Sequence, residues 1–242
     1  MTQARLPLDP ETLARLRQIG TATVSMQLLK RGLRNVYLRG VRPLTAATPA
    51  VAGEAYTLRF IPMREDLSLP EVLGDPEYPP RKVIETTPAG QVLVIEARGE
   101  SGAGVIGDIL VTRLKERGVA GVVADGPVRD GAETAAVGLP VYCQGSAAPA
   151  SLNLHFGADC ECPIGCGGVA VMPGDVVVGD GDGVVVVPRK LADEVARDGL
   201  EQHLLEGFLK SRITAGHPAI GTYPPNDETR AAYEAWRRAR DA

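Results

Sequence analysis

The sequence predicts one mixed α/β domain with helical extensions at both ends, and three observations predict it. The middle of the chain reads strand, Gly-rich turn, helix, strand, from QVLVIEA through RGESGAGVIGD to GVAGVVADG. A Val-rich pair, DVVVGDGDGVVVVP, flanks a Gly/Asp turn in the manner of a β-hairpin. Both ends carry segments of helical character.

The elements follow in order. Residues 10–31 read as helical, because Leu13, Leu16 and Ile19 recur at helical spacing. TATVSMQLLKRGL continues as a second helix, starting at a Thr or Ser cap and ended by Gly32. AGEAYTLRFI, at 52–61, has strand composition. Residues 62–80 are polar and Pro-rich, a loop suited to a lid or an oligomer contact. A short helix at 81–87 precedes the strand at 91–97. The helix at 109–117 closes at Gly118, and GVAGVVADG returns as a buried strand. A strand–helix–strand unit of this kind makes its two strands parallel. Strands follow at 140–144 and around 168–172, then the hairpin. Pro188 opens a helix running past Glu206, and the tail is an irregular arm ending in a short charged helix. The approximate core is 20–200 and the C-terminal arm 208–242, within one domain spanning 1–242.

Composition excludes several function classes. A net charge of -4 leaves no basic excess to follow a phosphate backbone, and 4% aromatics supply no base-stacking platform. No nucleic-acid partner is expected. No apolar run is long enough to span a bilayer, and the polar start lacks the apolar stretch of a signal peptide. The expected location is cytoplasmic, with no membrane partner. Three of the four cysteines lie in CECPIGC: Cys160, Cys162 and Cys166. They read as a metal cluster or as reduced thiols in a Gly-rich turn region. Zinc sites draw on separated ligand pairs, and no second pair exists here.

Two segments carry candidate chemistry: GVIGDIL at 104–110 and DGPVRD at 125–130. The first opens a helix, where N–H groups without intrahelical partners and the positive end of the dipole favour a carboxylate. The second follows a strand, at the sheet edge where open α/β folds bind ligands. In one βαβ unit these two places face each other across a crevice. Arg129 suits a carboxylate, which it binds bidentately. Asp130 and Asp108 offer hard oxygens, and two carboxylates plus water suit Mg²⁺. Such a site binds a 2-oxo acid and, as a Lewis acid, stabilises the enolate left after C–C cleavage. Taken alone, each segment also reads as a turn with a capping Asp.

Other motifs lead elsewhere. A Schiff-base mechanism needs a desolvated lysine, and Lys115 falls mid-helix. GDGDG, with Asp180 and Asp182, lacks Ca²⁺-loop spacing and reads as a hairpin turn, with Asp125 and Gly126 likewise a turn after their strand. GESGAG lacks the Lys-Ser/Thr ending of a phosphate loop. His155, His203 and His217 are scattered, and a packed or solvent-facing role fits His155 better than a place in the crevice.

GVIGDILVTRLKERGVAGVVADGPVRD resembles the core motif of the 4-hydroxy-4-methyl-2-oxoglutarate aldolase family, which also holds the regulators of ribonuclease activity A. TATVSMQLLKRGL, NLHFGADCECPIGCGGVAVMPGDVVVGDGDGVVVVP, GTYPP and YEAWR extend the likeness over most of the chain. The resemblance implies a swivelling β/β/α-type fold and a homotrimer or hexamer with sites between subunits. It implies Mg²⁺- or Mn²⁺-dependent cleavage of 4-hydroxy-2-oxo acids and decarboxylation of oxaloacetate. By position, Arg129 corresponds to the carboxylate-binding arginine and Asp130 to the metal-binding aspartate. Gly107, Asp108, Ile109 and Leu110 correspond to the segment whose amides hold the pyruvyl group, with Asp108 also reaching the metal through water. The resemblance also implies an acidic acid/base group contributed by a neighbouring subunit, for which Glu201 and Glu206 in the late helix are the candidates. The alternative implied by the same resemblance is a non-catalytic regulator that binds a ribonuclease or another protein.

Overall fold

The computed structural model describes residues 8–241. The polar start read at residues 1–7, and the last residue of the arm, Ala242, lie outside the described residues. Helix α1 (Pro10–Gln18) begins with Pro10 in its first turn and with Asp9 accepting from Glu11 N at 2.9 Å. The chain breaks at Ile19 and Gly20 before α2 (Thr21–Lys30). The expected Thr or Ser cap is replaced by a distant one. Asp180 accepts from Thr21 N and Thr21 Oγ1, each at 2.7 Å. Gly32, at φ 83°, then turns the chain out of α2 as a left-handed terminator.

The sheet strands are β1 (Arg42–Pro43), β2 (Val51–Pro62), β3 (Val92–Glu96), β4 (Gly121–Ala124), β5 (Val141–Cys143), β6 (His155–Cys160), β9 (Val176–Asp180) and β10 (Gly183–Val187); β7 (Ile164–Cys166) and β8 (Val169–Val171) form a separate hairpin. Strands β2, β3, β4 and β5 run parallel, as the βαβ reading requires, and β1 joins β5 antiparallel. β2 serves two neighbours on one edge. Its first residues pair with β9, from Val51↔Gly179 to Glu54↔Val176, and its last with β6, from Leu58↔Cys160 to Pro62↔His155 across a bulge at Arg59/Phe60. The hairpin partner β10 then takes up the stretch that precedes β1, through Leu38 N to Val184 O (2.9 Å) and Val186 N to Val36 O (2.8 Å). The sheet therefore nearly closes into a barrel.

β3 is buried on both faces, and its period-two pattern divides the core. Leu93 and Ile95 join Leu58, Leu114 and Val122 under the helices. Val92 and Val94 join Val123, Tyr142, Val177 and Val184 on the other side. The helices covering the first face are α3 (Pro79–Thr86) and α4 (Asp108–Glu116), with α5 (Gly131–Val137) beside α4. The long α6 (Ala192–Thr214) packs on α1 and α2 over β9 and β10. The arm continues as α7 (Ala219–Thr222) and α8 (Asp227–Asp241), where Tyr233 and Trp236 pack on Phe208 at 5.5 Å between ring centroids. Among the described residues no helix is long and apolar enough to cross a membrane.

Several element readings need correction. α3 starts at Pro79 rather than at Arg81, because two prolines fit a first helical turn that lacks acceptors for its N–H groups. Residues 62–80 are not wholly irregular, since Pro70–Gly74 forms a 3-10 turn. α5 and β6 are elements that the sequence pattern did not predict. The Cys-rich stretch is not simply a turn region, because Cys160 ends β6 and Cys166 ends β7. All four cysteines are free thiols. Burial pushes the Cys166 thiol well above its ordinary value, so it packs as a neutral side chain.

Candidate active site

The site forms where β3 and β4 end side by side. Asp125, the first residue beyond β4, is buried and ties three segments together. Its carboxylate accepts from Ala97 N at 2.5 Å, beyond β3, and from Gly167 N at 3.1 Å, between β7 and β8. Burial raises its pKa, and the backbone N–H bonds oppose that rise. The turn reading of Asp125 therefore understates it: this side chain fixes the position of the next five residues. Asp125→Ala strands two buried N–H donors and is expected to cost about 1–3 kcal/mol each where no water replaces it. Urea denaturation checks this, and a loss below a few tenths of a kcal/mol refutes the tie.

From Asp125 the chain passes into the Gly-rich turn's territory. Val105 N donates to Pro127 O at 2.9 Å, and Arg129 N donates to Ile106 O at 2.8 Å. Two glycines make room for this approach. A Cβ on Gly104 would stand 2.5 Å from Arg129 Cγ and 2.7 Å from Arg129 N. A Cβ on Gly107 would stand 2.9 Å from Asp130 Oδ2. The two motifs predicted to face each other thus touch, with Arg129 over Gly104 and Asp130 over Gly107. Asp130 lies in the left-handed region at φ 51°, ψ 52°, and its side chain makes no capping bond to α5. That conformation costs an Asp little compared with a branched residue. It aims the carboxylate back at α4 instead of forward along α5.

The N-terminus of α4 completes the cluster. Gly107 is its N-cap and offers no side chain, and the first bond back to it is Val111 N to Gly107 O at 3.1 Å. The N–H groups of Asp108, Ile109 and Leu110 precede that bond and have no backbone acceptor among the described residues. Asp108 is half-buried; Leu110 packs against the core, while the Ile109 side chain is 77% exposed. The guanidinium of Arg129 is steered by one bond, Nε to Ala148 O at 3.2 Å, which leaves its terminal nitrogens for a ligand. Beside it opens a cavity of about 120 Å³, walled by aliphatic side chains of β2, β3, α3 and α4, by residues 104–107, and by Ala150, Ser151 and Leu152.

A divalent cation fits this arrangement in a specific way. Among the described residues no three His, Cys, Asp or Glu side chains gather as a cage. Asp130, held over a cradle that any Cβ on Gly107 would fill, is the carboxylate that would meet such a cation directly, with Asp108 on the neighbouring turn. A sparse set of one or two carboxylates with water and substrate oxygens is what Mg²⁺ accepts, and what Zn²⁺ structural sites do not use.

Other sequence candidates lie elsewhere. Glu201 accepts from Tyr233 Oη at 2.5 Å and Glu206 from Gln202 Nε2 at 2.8 Å. Both sit on α6, which packs on α1 and α2 rather than on any site-forming segment of the same chain. His155 is fully buried 5.1 Å from the Phe60 ring, and its Nδ1 faces Arg98 Nη2 at 3.1 Å. Burial first, then the Arg98 charge, lower its pKa. With the folded value below the unfolded one, stability is complete above an unfolded value of about 6.5 and is lost as pH falls through it. The urea midpoint is expected to drop between pH 7.5 and 5.5, and His155→Gln to flatten that drop; an unchanged slope refutes the assignment. Residues missed by the sequence reading are Ala148, which orients Arg129, and Arg81 on α3, which lines the cavity. The paired prolines mark where Arg81 enters its helix, but nothing local says which face it takes.

The RraA-like family model, described as aldolase/RraA, matches residues 21–186. The chain belongs to the RraA-like family. Among RraA-like relatives, a Halalkalibacterium halodurans protein provisionally named 4-hydroxy-4-methyl-2-oxoglutarate aldolase is 34% identical over 143 residues, 59% of this chain and 67% of that protein. The Streptomyces coelicolor structure of RraAS2, described as an unusual member of the RNase ES inhibitor RraA protein family, is 34% identical with a TM-score of 0.75, covering 85% of this chain and 98% of that one. An uncharacterised Pseudomonas syringae protein matches in fold, with a TM-score of 0.81 at 24% identity over 93% of this chain and 99% of that one. The mixed α/β domain with a nearly closed sheet is thus the RraA-like fold. The family includes both provisionally named oxo-acid aldolases and RraA regulators.

Proposed function

We propose that this chain is a divalent-cation-dependent lyase for small 2-oxo acids, cleaving 4-hydroxy-2-oxo acids by retro-aldol reaction or decarboxylating oxaloacetate. The observation that carries the reading is the convergence of Arg129, Asp130 and the free N–H groups of α4 over two glycines. Arg129 grips the C1 carboxylate and sets its plane. The N–H groups of Asp108, Ile109 and Leu110 stabilise negative charge on the pyruvyl oxygens, aided by the α4 dipole. A bound Mg²⁺ or Mn²⁺, held by Asp130, would supply Lewis-acid stabilisation of the charge that develops on the 2-oxo oxygen. As the C4 hydroxyl gives its proton to water at the cavity mouth, or as the C4 carboxylate of oxaloacetate leaves as CO₂, the C3–C4 bond breaks and its electron pair moves toward that oxygen. The resulting enolate then takes a proton from that water at C3 to become pyruvate, with an aldehyde, ketone or CO₂ as the other product. Asp108 holds the water that carries protons at the cavity mouth. The aliphatic wall keeps bulk water from the departing fragment.

The assembly that fits this reading is a homotrimer or hexamer. Ile109, exposed beside Asp108, leaves room for a neighbouring copy at the site. A coupled assay for pyruvate release over a panel of 2-oxo acids tests the function. Release that requires Mg²⁺ or Mn²⁺ supports it; no release from any 4-hydroxy-2-oxo acid or oxaloacetate rejects it. Likeness to RraAS2 over nearly that whole chain favours a second reading, a regulator binding a ribonuclease. Tight ribonuclease capture by a protein inactive on the whole panel would select it.

A further inference from the structure

The Gly-rich turn after β3 is fastened to the segment before β6 at both of its ends. Near the site, Gly104 N donates to Pro149 O at 3.0 Å, and the adjacent Ala148 O accepts from Arg129 Nε at 3.2 Å. In the middle, a Cβ on Gly102 would stand 2.7 Å from Leu154 Cδ1, so the two strips of chain lie in contact. At the far end, Arg98 Nη2 donates to Leu154 O at 2.9 Å and to His155 Nδ1 at 3.1 Å. An arginine has only donors, so Nδ1 is the acceptor and the imidazole is neutral, with its proton on Nε2. The point that Arg98 grips is itself fixed. Leu154 O also accepts from Met63 N at 3.1 Å, and His155 is fully buried opposite Pro62 of β2. Arg98 makes this reach from the left-handed region, at φ 64°, with Gly99 following at φ 69°. A non-glycine residue persists there where the surrounding structure holds it.

We infer that Arg98 is a positioning residue: through Leu154 O and the neutral imidazole of His155 it clamps the start of the Gly-rich turn to the start of β6, and so keeps Gly104 seated between Pro149 and Arg129. The effect on catalysis rests on the lyase reading; the clamp itself does not. The clamp also has a pH limit, because a protonated His155 would present Arg98 with a second cation instead of an acceptor. The charged groups that face the imidazole are Arg98 and Glu100, of opposite sign. β2 brings Phe60 and Pro62 against it, and residues 151–153 carry no charge. From α3 and its cap, Tyr78 accepts from Gly157 N, and Lys82 faces Cys160 at the other end of β6. Burial first, then Arg98, hold the imidazole pKa below its ordinary value. The clamp is therefore closed at neutral pH and opens as pH falls through that lowered value.

Amide hydrogen exchange of the full chain, read by NMR as protection factors, tests the clamp without any substrate. Arg98→Met is expected to lower the protection of Gly104 N–H roughly tenfold or more, while amides of β3 and β4 stay within about twofold. Arg98→Lys is expected to recover part of the loss, since an ammonium still donates to Leu154 O. In the wild type, protection at Gly104 is expected to fall between about pH 7.5 and 5. His155→Gln, whose amide oxygen accepts without titrating, is expected to remove that fall. Unchanged protection at Gly104 in Arg98→Met, a loss spread equally over β3 and β4, or no pH dependence in the wild type overturns the inference. In pyruvate release, Arg98→Met is expected to lower kcat roughly tenfold and leave KM within about twofold, because Arg129 keeps its own bond to Ala148 O while the α4 N–H groups lose alignment. If protection falls but no 2-oxo acid is ever cleaved, the lyase reading fails and the clamp stands. If Arg98→Met keeps both wild-type kcat and wild-type protection, the clamp fails and the lyase reading stands.

Discussion

Arg129→Met is expected to lower kcat/KM for pyruvate release by on the order of 10² to 10³-fold, with folding intact. The guanidinium makes one protein bond, to Ala148 O, so its removal strands a single carbonyl that solvent can reach. The stem would still cover Gly104. What is lost is the group that fixes the C1 carboxylate, and with it the alignment of the oxo oxygen against the α4 N–H groups. Arg129→Lys is expected to recover little, because an ammonium keeps the charge but not the two-pronged geometry. Steady-state kinetics alongside urea denaturation separates these effects. A fall in stability that matches the fall in activity would assign Arg129 a structural role instead.

Gly104→Ala is expected to cost about 1–3 kcal/mol and to depress activity beyond what the lost folded fraction explains. The added methyl meets Arg129 Cγ at 2.5 Å, Arg129 N at 2.7 Å and Val128 C at 2.8 Å. Two of these three are backbone atoms, which cannot swing aside. Gly104 is also held by its N–H to Pro149 O at 3.0 Å, so the loop has little freedom to retreat. The strain falls on the contact between the Gly-rich turn and the arginine. Gly102 provides the comparison within the same turn. Its added methyl meets Leu154 Cδ1 at 2.7 Å, a side-chain end that can move, so Gly102→Ala is expected to cost less and to spare the rate. Equal effects of the two substitutions would contradict the packing account.

The parts of the fold legible in the sequence were those whose signals are local. β3, α4 and β4 announce themselves through a compact apolar strand, a Gly-rich turn and a second apolar run closed by Asp125 and Gly126. The β9–β10 hairpin follows from two Val runs around a Gly/Asp turn. The face-to-face placement of 104–107 with Arg129 and Asp130 followed from βαβ geometry, and the structure brings them into contact. Elements set by distant partners were not legible. β6 is half polar along HFGADC and exists because the last residues of β2, Leu58 to Pro62, offer it an edge. α5 has seven residues and starts from the left-handed turn at Asp130, with Gly131 closely packed on Ser146. The cap of α2 comes from Asp180, far along the chain, and the place of Arg81 on the cavity wall depends on α3 lying across β6 and α4.

Mn²⁺ titration followed by electron paramagnetic resonance, with and without pyruvate, tests the convergence most directly. The account predicts bound Mn²⁺ in the wild type, loss of that signal in Asp130→Ala, and a change in its line shape on adding pyruvate that disappears in Arg129→Met. Mn²⁺ binding that is indifferent to Asp130→Ala, or a spectrum that ignores pyruvate when Arg129 is intact, would contradict it.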